Sequence, residues 1–225
     1  NESYLASDVL AISSWADESS YMDDGEICIL EAKNTSFFNF NGEKLTKHFS
    51  KISVKENCVQ KGQYKHFMLK EIFEQPTVLR SILNTYASRE LKQVNVPDID
   101  WNNVSNIKVI GCGTSFYAAM VSRYWFERIA KVKLETELAH EFRYMSPVVD
   151  KNELAIFISQ SGETADLRAV LTKLRSVNAD YKFLVLTNVD ASTLSRECDY
   201  TLLLHAGVEI AVASTKAYTA QIATL

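Results

Sequence analysis

From residue 100 onward, short apolar segments alternate with helix-like segments, and this alternation is the feature that most constrains the fold. Apolar strands separated by helices form parallel sheets that are covered on both faces. Five such strands fit a flavodoxin-like, doubly wound α/β domain. The predicted strands are Ile107–Ile110, Val132–Glu137, Leu154–Ser159, Phe183–Leu186 and Tyr200–Leu204.

Helices are predicted between these strands and also upstream of them. A helical pattern begins at Tyr64, and Pro76 is expected to start a second helix because proline fits a first turn and breaks a helix interior. The helices predicted between strands are Phe116–Ile129, Glu141–Met145, Thr164–Arg175, Ala191–Arg196 and a last one from Thr215.

The first 50 residues have a different texture. Asp8–Ser14 suits a short helix or turn, residues 26–32 suit a strand, and residues 36–48 suit a hairpin with Asn41–Gly42 in a type I′ turn. Two or three strands of this size are not stable alone, so this part is expected to pack on a segment upstream. Residues 51–62 have weak periodicity and mixed charge, which predicts a linker.

Composition and charge exclude several classes of protein. With 47% apolar and 23% charged residues, the chain can bury a core. The net charge is −4 and no two Lys or Arg residues are adjacent, which argues against nucleic-acid binding. No signal peptide and no 18-residue apolar stretch is found, which predicts a soluble, cytoplasmic protein without membrane contact. The chain opens without Met and closes within a helix-like run, so a piece of a longer polypeptide is expected.

Four cysteines stand at positions 28, 58, 112 and 198. None forms a C-x-x-C pair, and no histidine lies at metal-ligand spacing from any of them. Free thiols in a reducing compartment are therefore expected, rather than disulfides or a metal site.

Three loops that follow predicted strands are rich in hydroxyls and glycine. Ligands of open parallel sheets bind beyond the carboxyl ends of the strands, so these loops are the candidate site. The first loop, GCGTS at 111–115, lacks the third glycine of a dinucleotide fingerprint and the lysine of a P-loop. A ligand-binding turn and a purely structural turn with a helix cap both fit it.

The second loop, SQSGET at 159–164, places three hydroxyls, an amide side chain and free backbone N–H groups before a helix. Such a set suits a phosphomonoester, because it offers donors without a fixed cation. Ser161 alone could be only a helix cap, but three hydroxyls in six residues exceed what one cap requires.

The third loop, residues 207–216, is ambiguous. Ser214 and Thr215 could cap the following helix, and Lys216 could lie on its solvated face. Glu209 is a possible acid or base, and His140 could donate to a sugar hydroxyl, but each stands alone and no catalytic role is assigned to either.

The chain resembles the family of glutamine–fructose-6-phosphate aminotransferases (isomerizing), or glucosamine-6-phosphate synthases. The resemblance runs nearly end to end. SQSGET alone would indicate only a sugar isomerase (SIS) fold, whereas together with KEIFEQP and VASTKAYT it points to this family. The residues that carry it are LASD (5–8), YMDDGEI (21–27), YKHFMLKEIFEQP (64–76), GCGTS (111–115), MVSRYWFE (120–127), EFRY (141–144), SQSGETADL (159–167) and VASTKAYT (212–219).

The resemblance implies a division of the chain. Residues 1–50 would be the β-rich, C-terminal part of a type-2 glutamine amidotransferase domain of the Ntn type. Residues 51–63 would be a linker and residues 64–97 the helical start of the synthase half. Residues 98–225 would be the first SIS domain, truncated at its C-terminus.

The resemblance also implies which residues bind substrate. Ser159, Ser161 and Thr164 would contact the sugar phosphate, and Val212 and Ser214 would line the sugar pocket. The whole implied set is Cys112, Gly113, Thr114, Ser115, Ser159, Gln160, Ser161, Thr164, Val212 and Ser214.

In activity, the resemblance implies a parent enzyme that uses glutamine-derived ammonia to convert fructose 6-phosphate to glucosamine 6-phosphate, without a cofactor or metal. The catalytic residues of that family match positions outside this chain, so it is expected to bind the sugar phosphate but not to turn over. The family further implies a homodimer or larger assembly.

Two other functions remain open at this point. An SIS-domain sensor that controls a partner would normally carry a helix-turn-helix before this domain, whereas residues 1–50 are β-rich and acidic. A fructosamine-phosphate deglycase or sugar-phosphate isomerase could have the same lobe, but it would lack the glutaminase-like residues.

Overall fold

The computed structural model describes residues 2–6, 9–32, 34–52, 60–88 and 93–225. The chain forms two compact units, residues 1–60 and residues 61–225. Most of the predicted linker, residues 53–59, lies outside the described residues, as do Asp8 and Cys58. The domain limits implied by the resemblance stay predictions.

Short antiparallel strands dominate the first unit. Strands β2, β3 and β4 form a three-stranded sheet in that order, and β1 pairs with β5. The predicted short helix is a single 3₁₀ turn, Val9–Ala11. The strands are β1 (Glu18–Ser19), β2 (Glu26–Glu31), β3 (Asn34–Asn39), β4 (Lys44–Leu45) and β5 (Ser50–Lys51).

The predicted hairpin is confirmed, but the prediction of a type I′ turn in it is wrong. Gly42 has a φ of 81°, whereas the only described non-glycine residues with positive φ are Lys131 and His205, so Asn41 does not have the second positive φ. The Asn39 side-chain oxygen instead accepts the N–H groups of Asn41 and Glu43, both at 3.0 Å. The Asn39 side chain thereby stabilises a three-residue loop in which only glycine needs a left-handed conformation.

The second unit alternates strands and helices, as the sequence predicts. Its elements are α1 (Phe67–Tyr86), β6 (Ala87–Ser88), β7 (Gln93–Val94), a 3₁₀ turn (Trp101–Asn103), β8 (Asn106–Gly111), α2 (Thr114–Trp125), a π-helical turn (Phe126–Ala130), β9 (Lys133–Leu138), α3 (Ala139–Phe142), β10 (Glu153–Ser159), α4 (Ala165–Val177), β11 (Lys182–Thr187), α5 (Thr193–Glu197), β12 (Tyr200–Leu203) and α6 (Lys216–Thr224).

The five predicted strands form one sheet in the order β9-β8-β10-β11-β12, with every neighbouring pair parallel. Numbered within the domain this order is 2-1-3-4-5, that of flavodoxin-like folds. The predicted fold class is confirmed. The order reverses between β8 and β10, so the loops that follow these two strands flank the switch point. The short β6–β7 pair was not predicted.

Alternating residues of the sheet enter two apolar clusters, one on each face. Along β10, Ile156 and Ile158 belong to the cluster that includes residues of α1, α2 and α6. Ala155 and Phe157 belong to the other cluster, with residues of α3, α4 and α5. Helices therefore cover both faces, which explains why all residues of β10 are buried.

Pro76 does not begin a helix, which corrects the prediction. Helix α1 runs through it, from Phe67 to Tyr86. A proline inside a helix leaves the carbonyl four residues earlier without its N–H donor. Here the Gln75 side-chain amide donates to that carbonyl, the oxygen of Ile72, at 3.1 Å. The adjacent glutamine thus replaces the hydrogen bond that proline cannot make.

Two predicted helices differ in their ends. The segment predicted as Phe116–Ile129 is helix α2 followed by a π-helical turn that ends at Lys131 with a φ of 59°. The helix predicted at Glu141–Met145 begins earlier, directly after β9, and spans only Ala139–Phe142. Neither change moves a loop away from the switch point.

Candidate functional site

The first two hydroxyl-rich loops lie side by side at the switch point. Gly111, the last residue of β8, pairs with Ile158 of β10, so Ser159 is the next residue beyond that pair. The loops 111–115 and 159–164 therefore start at adjacent carboxyl ends of parallel strands. Ligands of this fold class bind at that position.

Two hydroxyls of the second loop face each other. The Ser159 and Thr164 side-chain oxygens are 2.9 Å apart. The Gly162 N–H donates to Ser159 Oγ at 3.0 Å. Thr164 is the N-cap residue of α4, yet its side chain makes no cap hydrogen bond. The residue at the cap position is thus Thr164 rather than Ser161, and its hydroxyl bonds within the loop instead of capping the helix.

Ser161 lies at the exposed tip of the second loop. Its oxygen accepts the Glu163 N–H at 3.2 Å, which leaves the hydroxyl hydrogen available to an incoming acceptor. The preceding residue, Gln160, is half-buried, and its carbonyl accepts the Asn188 N–H at 3.0 Å. The loop is thus held by a backbone hydrogen bond at Gln160, while the exposed Ser161 hydroxyl can still donate.

Glycine is required at position 162. Its φ is +68°, and a Cβ there would stand 2.0 Å from Ser192 Oγ and 2.9 Å from Thr187 Oγ1. The Gly162 carbonyl also accepts the Leu194 N–H at 3.0 Å. The close approach fixes the second loop against the start of α5.

The first loop makes a sharp turn into α2. Gly113 is the N-cap residue with a φ of 54°, and Thr114 next to it is exposed. Ser115 is only 8% exposed, and its Oγ accepts the Gln221 side-chain N–H of α6 at 3.0 Å. A hydroxyl that accepts one bond still has its own hydrogen to donate.

Cys112 is half-buried in the same loop. Burial raises the pKa of its thiol, and the nearby Asp166 carboxylate raises it further. The thiol therefore stays protonated at neutral pH and is a poor nucleophile.

Glu209, not Ser214 or Thr215, caps the last helix. Glu209 Oε1 accepts the N–H groups of Thr215 at 2.9 Å and Ala217 at 3.1 Å, and its Oε2 accepts the Ser214 hydroxyl at 3.2 Å. The interpretation of Ser214 and Thr215 as the caps is therefore wrong. Val212, four residues before α6, is fully exposed.

Lys216 is buried, which corrects the expectation that it faces solvent. It is 4% exposed, and its Nζ donates to Glu74 Oε2 at 2.6 Å. No feature near Lys216 in the sequence indicates this pairing, because Glu74 lies 142 residues earlier on α1.

Polar side chains connect the three loops. Asn188 receives the Ala206 N–H at 2.9 Å and donates to the Gly207 carbonyl at 2.6 Å, while its own N–H binds the carbonyl of Gln160. This residue joins the second loop to the third. The first loop is joined to α6 through Gln221.

Sequence reasoning missed the residues that hold the loops in place. Asn188 and Gln221 gave no signal in the sequence, since each acts through a contact with a distant residue. Glu71, Glu74 and Gln75 did carry one, because positions i, i+3 and i+4 share a helix face. Three polar residues on one helix face indicate a polar contact on that face, but not its partner.

His140 remains without an assigned role. It lies in the short α3, and its Nε2 is 4.0 Å from a carboxylate oxygen of the neighbouring Glu141. Its imidazole is half-exposed and makes no closer ion pair among the contacts of the described residues.

Within the described ranges, no group of three or more His, Cys, Asp or Glu residues is arranged to hold a metal ion. The three described cysteines, Cys28, Cys112 and Cys198, are free thiols. Every helix in the described part of the chain is too short or too polar to cross a bilayer.

Known proteins match the whole chain, and a family model matches its second part. The SIS domain family model matches residues 102–225. The glutamine–fructose-6-phosphate aminotransferase (isomerizing) of Zymomonas mobilis is 42% identical over 100% of this chain, which spans 37% of that relative. The enzyme of that name from Bacillus subtilis is 46% identical over 98% of this chain and 37% of the relative. The chain thus spans little more than a third of the length of these relatives.

Solved structures agree. The C-terminal domain of glucosamine-fructose-6-phosphate aminotransferase from Francisella tularensis matches with a TM-score of 0.66 and 38% identity, over 74% of this chain and 47% of that one. A glucosamine-6-phosphate deaminase from Thermotoga maritima, at 23% identity and a TM-score of 0.57 over 70% of this chain and 48% of that one, shows the shared fold alone. The resemblance to the aminotransferase family is confirmed, and since the SIS model accounts for more than half of its residues, the chain belongs to the SIS domain family.

Proposed function

We propose that this chain binds a sugar phosphate at the switch point between β8 and β10. The observation that carries the proposal is the pair of hydroxyls on Ser159 and Thr164, 2.9 Å apart beside the amino end of α4. The first N–H groups of a helix lack partners within the helix and favour an anion. A phosphoryl group accepts hydrogen bonds from hydroxyls and from such N–H groups.

The ten residues implied by the resemblance form the proposed site. Ser159, Ser161 and Thr164 bind the phosphate, with Gln160 at the same loop. The first loop, Cys112 to Ser115, closes the other side, because β8 and β10 are neighbours in the sheet. Val212 and Ser214 line the sugar end.

We further propose that the chain is the phosphosugar-binding part of a glutamine-dependent aminotransferase that converts fructose 6-phosphate to glucosamine 6-phosphate. The similarity at 42–46% identity over nearly the whole chain supports it. It supports this function over the sensor and the deglycase, since the similarity includes residues 1–50. In this proposal those residues belong to the glutaminase domain, and the enzyme is a cytoplasmic homodimer or larger assembly.

Within such an enzyme, this lobe contributes positioning rather than chemistry. Fixing the phosphate holds the distant C1 and C2 atoms of the sugar at a defined place. Binding energy from a non-reacting group can then lower the barrier at the reacting centre. No residue of this chain is assigned to the glutamine hydrolysis, ring opening or proton transfer steps.

Calorimetric titration of fructose 6-phosphate into the chain tests the site. Saturable binding is expected, with no binding of fructose, because fructose lacks the phosphate. The double variant Ser161→Ala, Thr164→Ala should lose about 2–4 kcal/mol, since each charge-assisted bond contributes about 1–2 kcal/mol.

Thr172→Val is the matched control. Thr172 lies on the same helix, and its hydroxyl binds the Arg168 carbonyl away from the loop. The affinity of the Thr172→Val variant for fructose 6-phosphate should equal that of the wild type. Unchanged affinity in the double variant would contradict phosphate binding at this loop.

Activity is tested separately, in the natural protein that carries this sequence. Glutamine-dependent formation of glucosamine 6-phosphate from fructose 6-phosphate is expected. Binding without this reaction would leave the phosphosugar site standing and overturn the aminotransferase assignment.

A further inference from the structure

Three polar side chains on one face of helix α1 contact the third loop and α6, the helix that follows it. Glu71 and Glu74 are three residues apart and Gln75 follows at four, so all three share that face. Gln75 Oε1 accepts the Thr219 hydroxyl at 2.5 Å, and Glu74 binds Lys216. These two contacts hold α6, the helix into which the loop leads.

Glu71 makes the contact that concerns the loop itself. Its Oε1 accepts the N–H groups of Ile210 at 2.6 Å and Ala211 at 3.1 Å. Both residues lie in the stretch between β12 and α6, which has no regular secondary structure to satisfy its N–H groups. One carboxylate oxygen therefore orders two successive peptide units.

The environment of Glu71 is unusual for a side chain with only a stabilising role. The residue is 2% exposed, and its second oxygen, Oε2, is buried without a hydrogen-bond partner among the described residues. The buried cation of this region, Lys216, binds Glu74 instead. Burying a carboxylate costs free energy, whereas burying an apolar side chain at the same position would not.

Two carboxylates therefore bracket the tip of the third loop. Glu71 holds the residues immediately before Val212, and Glu209 holds Ser214 and Thr215 after it. Val212 and Ala213 lie between these anchors and are exposed. A binding loop anchored at both ends loses little conformational freedom when a ligand arrives.

We propose that Glu71 is a positioning residue that fixes the segment Val212–Ser214 in the conformation that receives the sugar. This inference rests on the proposed function, because it takes the tip of the third loop as the sugar end of the site. Glu71 acts through the N–H groups of Ile210 and Ala211 and touches no substrate. Glu71 therefore influences binding of the sugar part of the ligand, whereas the second loop holds the phosphate.

The test compares Glu71→Ala with Glu71→Gln and Glu71→Asp in the full chain. Fructose 6-phosphate affinity should fall about tenfold or more in the alanine variant, which loses both bonds. Glutamine keeps an accepting oxygen at the same reach, so its affinity should stay within about threefold. The aspartate side chain is one methylene shorter, so Glu71→Asp should also lose affinity for fructose 6-phosphate. It leaves a smaller cavity than alanine does. Glu71→Asp therefore keeps the test valid if Glu71→Ala does not fold.

Inorganic phosphate is the second probe. Its affinity should be equal in all four proteins, because the phosphate loop is anchored by Gly162 and Asn188 rather than by α1. Amide hydrogen exchange in residues 207–215 should quicken in the alanine and aspartate variants and remain slow in the glutamine variant.

Glu153→Gln is the matched control. Glu153 is also buried, at 6% exposed, but it lies at the opposite end of the sheet, where its carboxylate accepts hydrogen bonds from Lys108 and Asn106. This variant should be less stable than the wild type without a change in sugar affinity. If Glu71→Ala changes exchange everywhere as Glu153→Gln does, its role is only structural and the inference is overturned.

The two proposals fail differently. If the wild-type chain does not bind fructose 6-phosphate, the proposed function falls. Hydrogen exchange in residues 207–215 still decides the positioning role, and an unchanged rate in both Glu71→Ala and Glu71→Asp overturns it.

Discussion

The hydroxyl oxygens of Ser159 and Thr164 lie 2.9 Å apart, across the loop that joins β10 to α4. Thr164 occupies the N-cap position, where a threonine side chain usually accepts an N–H of the helix. It does not do so here. The helix N–H groups that a cap would satisfy are thus left to another acceptor, and a phosphoryl group is the acceptor that the proposed function supplies.

The Thr164 hydroxyl is predicted to be the functional part of that side chain. Thr164→Ser should keep fructose 6-phosphate affinity within about threefold, whereas Thr164→Val should weaken binding by about 1–2 kcal/mol because it lacks the donor. Calorimetry on both variants makes the comparison. Equal affinities for the serine and valine variants would contradict a direct bond to phosphate.

Gly162 is predicted to tolerate no side chain. Gly162→Ala should lower the free energy of unfolding by about 3–5 kcal/mol, since it adds a clash with Ser192 to an unfavourable positive φ. Gly207→Ala is the control: its φ is +67°, against +68° at Gly162, but the nearest atom is Lys216 Nζ at 3.8 Å. It should lose about 1–2 kcal/mol. Equal losses in urea unfolding would show that the close packing at Gly162 is unimportant.

Gln75 and Pro76 are predicted to be coupled. Gln75→Leu should cost about 1–2 kcal/mol in the wild-type chain, because the Ile72 carbonyl loses the donor that compensates for proline. In a Pro76→Ala background the alanine N–H can bind that carbonyl, so the same substitution should cost less. A double-mutant cycle by urea unfolding measures the coupling. Additive losses would mean that the Gln75 amide does not compensate for the proline.

Cys198 is predicted to make stability fall at high pH. Burial raises the pKa of its thiol to about 12, from an ordinary value of 9.0. As the pH rises, the unfolded chain loses this proton before the folded chain does. The stabilising contribution of the thiol to the free energy of unfolding is therefore complete below pH 9 and is lost as the pH rises toward 12. By pH 10.5 the free energy of unfolding should have fallen by about 1–2 kcal/mol, a value lowered because Cys198 is only half-buried.

The check is urea unfolding of the wild type and of Cys198→Ala at pH 8 and pH 10.5. The alanine variant should be less stable at pH 8 but should lose less stability between the two pH values. Parallel losses in the two proteins would contradict the raised pKa. The test is specific to this thiol, because other titrating groups, Tyr181 among them, are common to both proteins.

The strands and the sheet order were predictable because they depend on local pattern and on general rules. The five apolar segments of the second unit each became a parallel strand within one or two residues of the predicted ends. Ser159 and Gly113 could be placed beyond strand ends for the same reason, since the carboxyl ends of parallel strands share one edge. The order at the switch point then brought the two loops together.

What the sequence did not predict depends on specific side-chain contacts. Lys216 is buried because Glu74, 142 residues away, meets it on α1. Helix α1 continues through Pro76 because of a side-chain hydrogen bond that propensity does not include. The cap of α6 comes from Glu209 in the preceding loop rather than from the hydroxyls next to the helix. Each case is a specific side-chain contact, distant along the chain only for Lys216, that overrides a sound local rule.

The central claim is that the loop 159–164 binds a phosphoryl group. A crystal structure of this chain grown with fructose 6-phosphate tests it most directly. The proposed function predicts phosphate oxygens within about 3 Å of the hydroxyls of Ser159, Ser161 and Thr164, with the sugar extending toward Val212 and Ser214. A phosphate bound at another loop, with these three hydroxyls bonded only to protein or water, would contradict it.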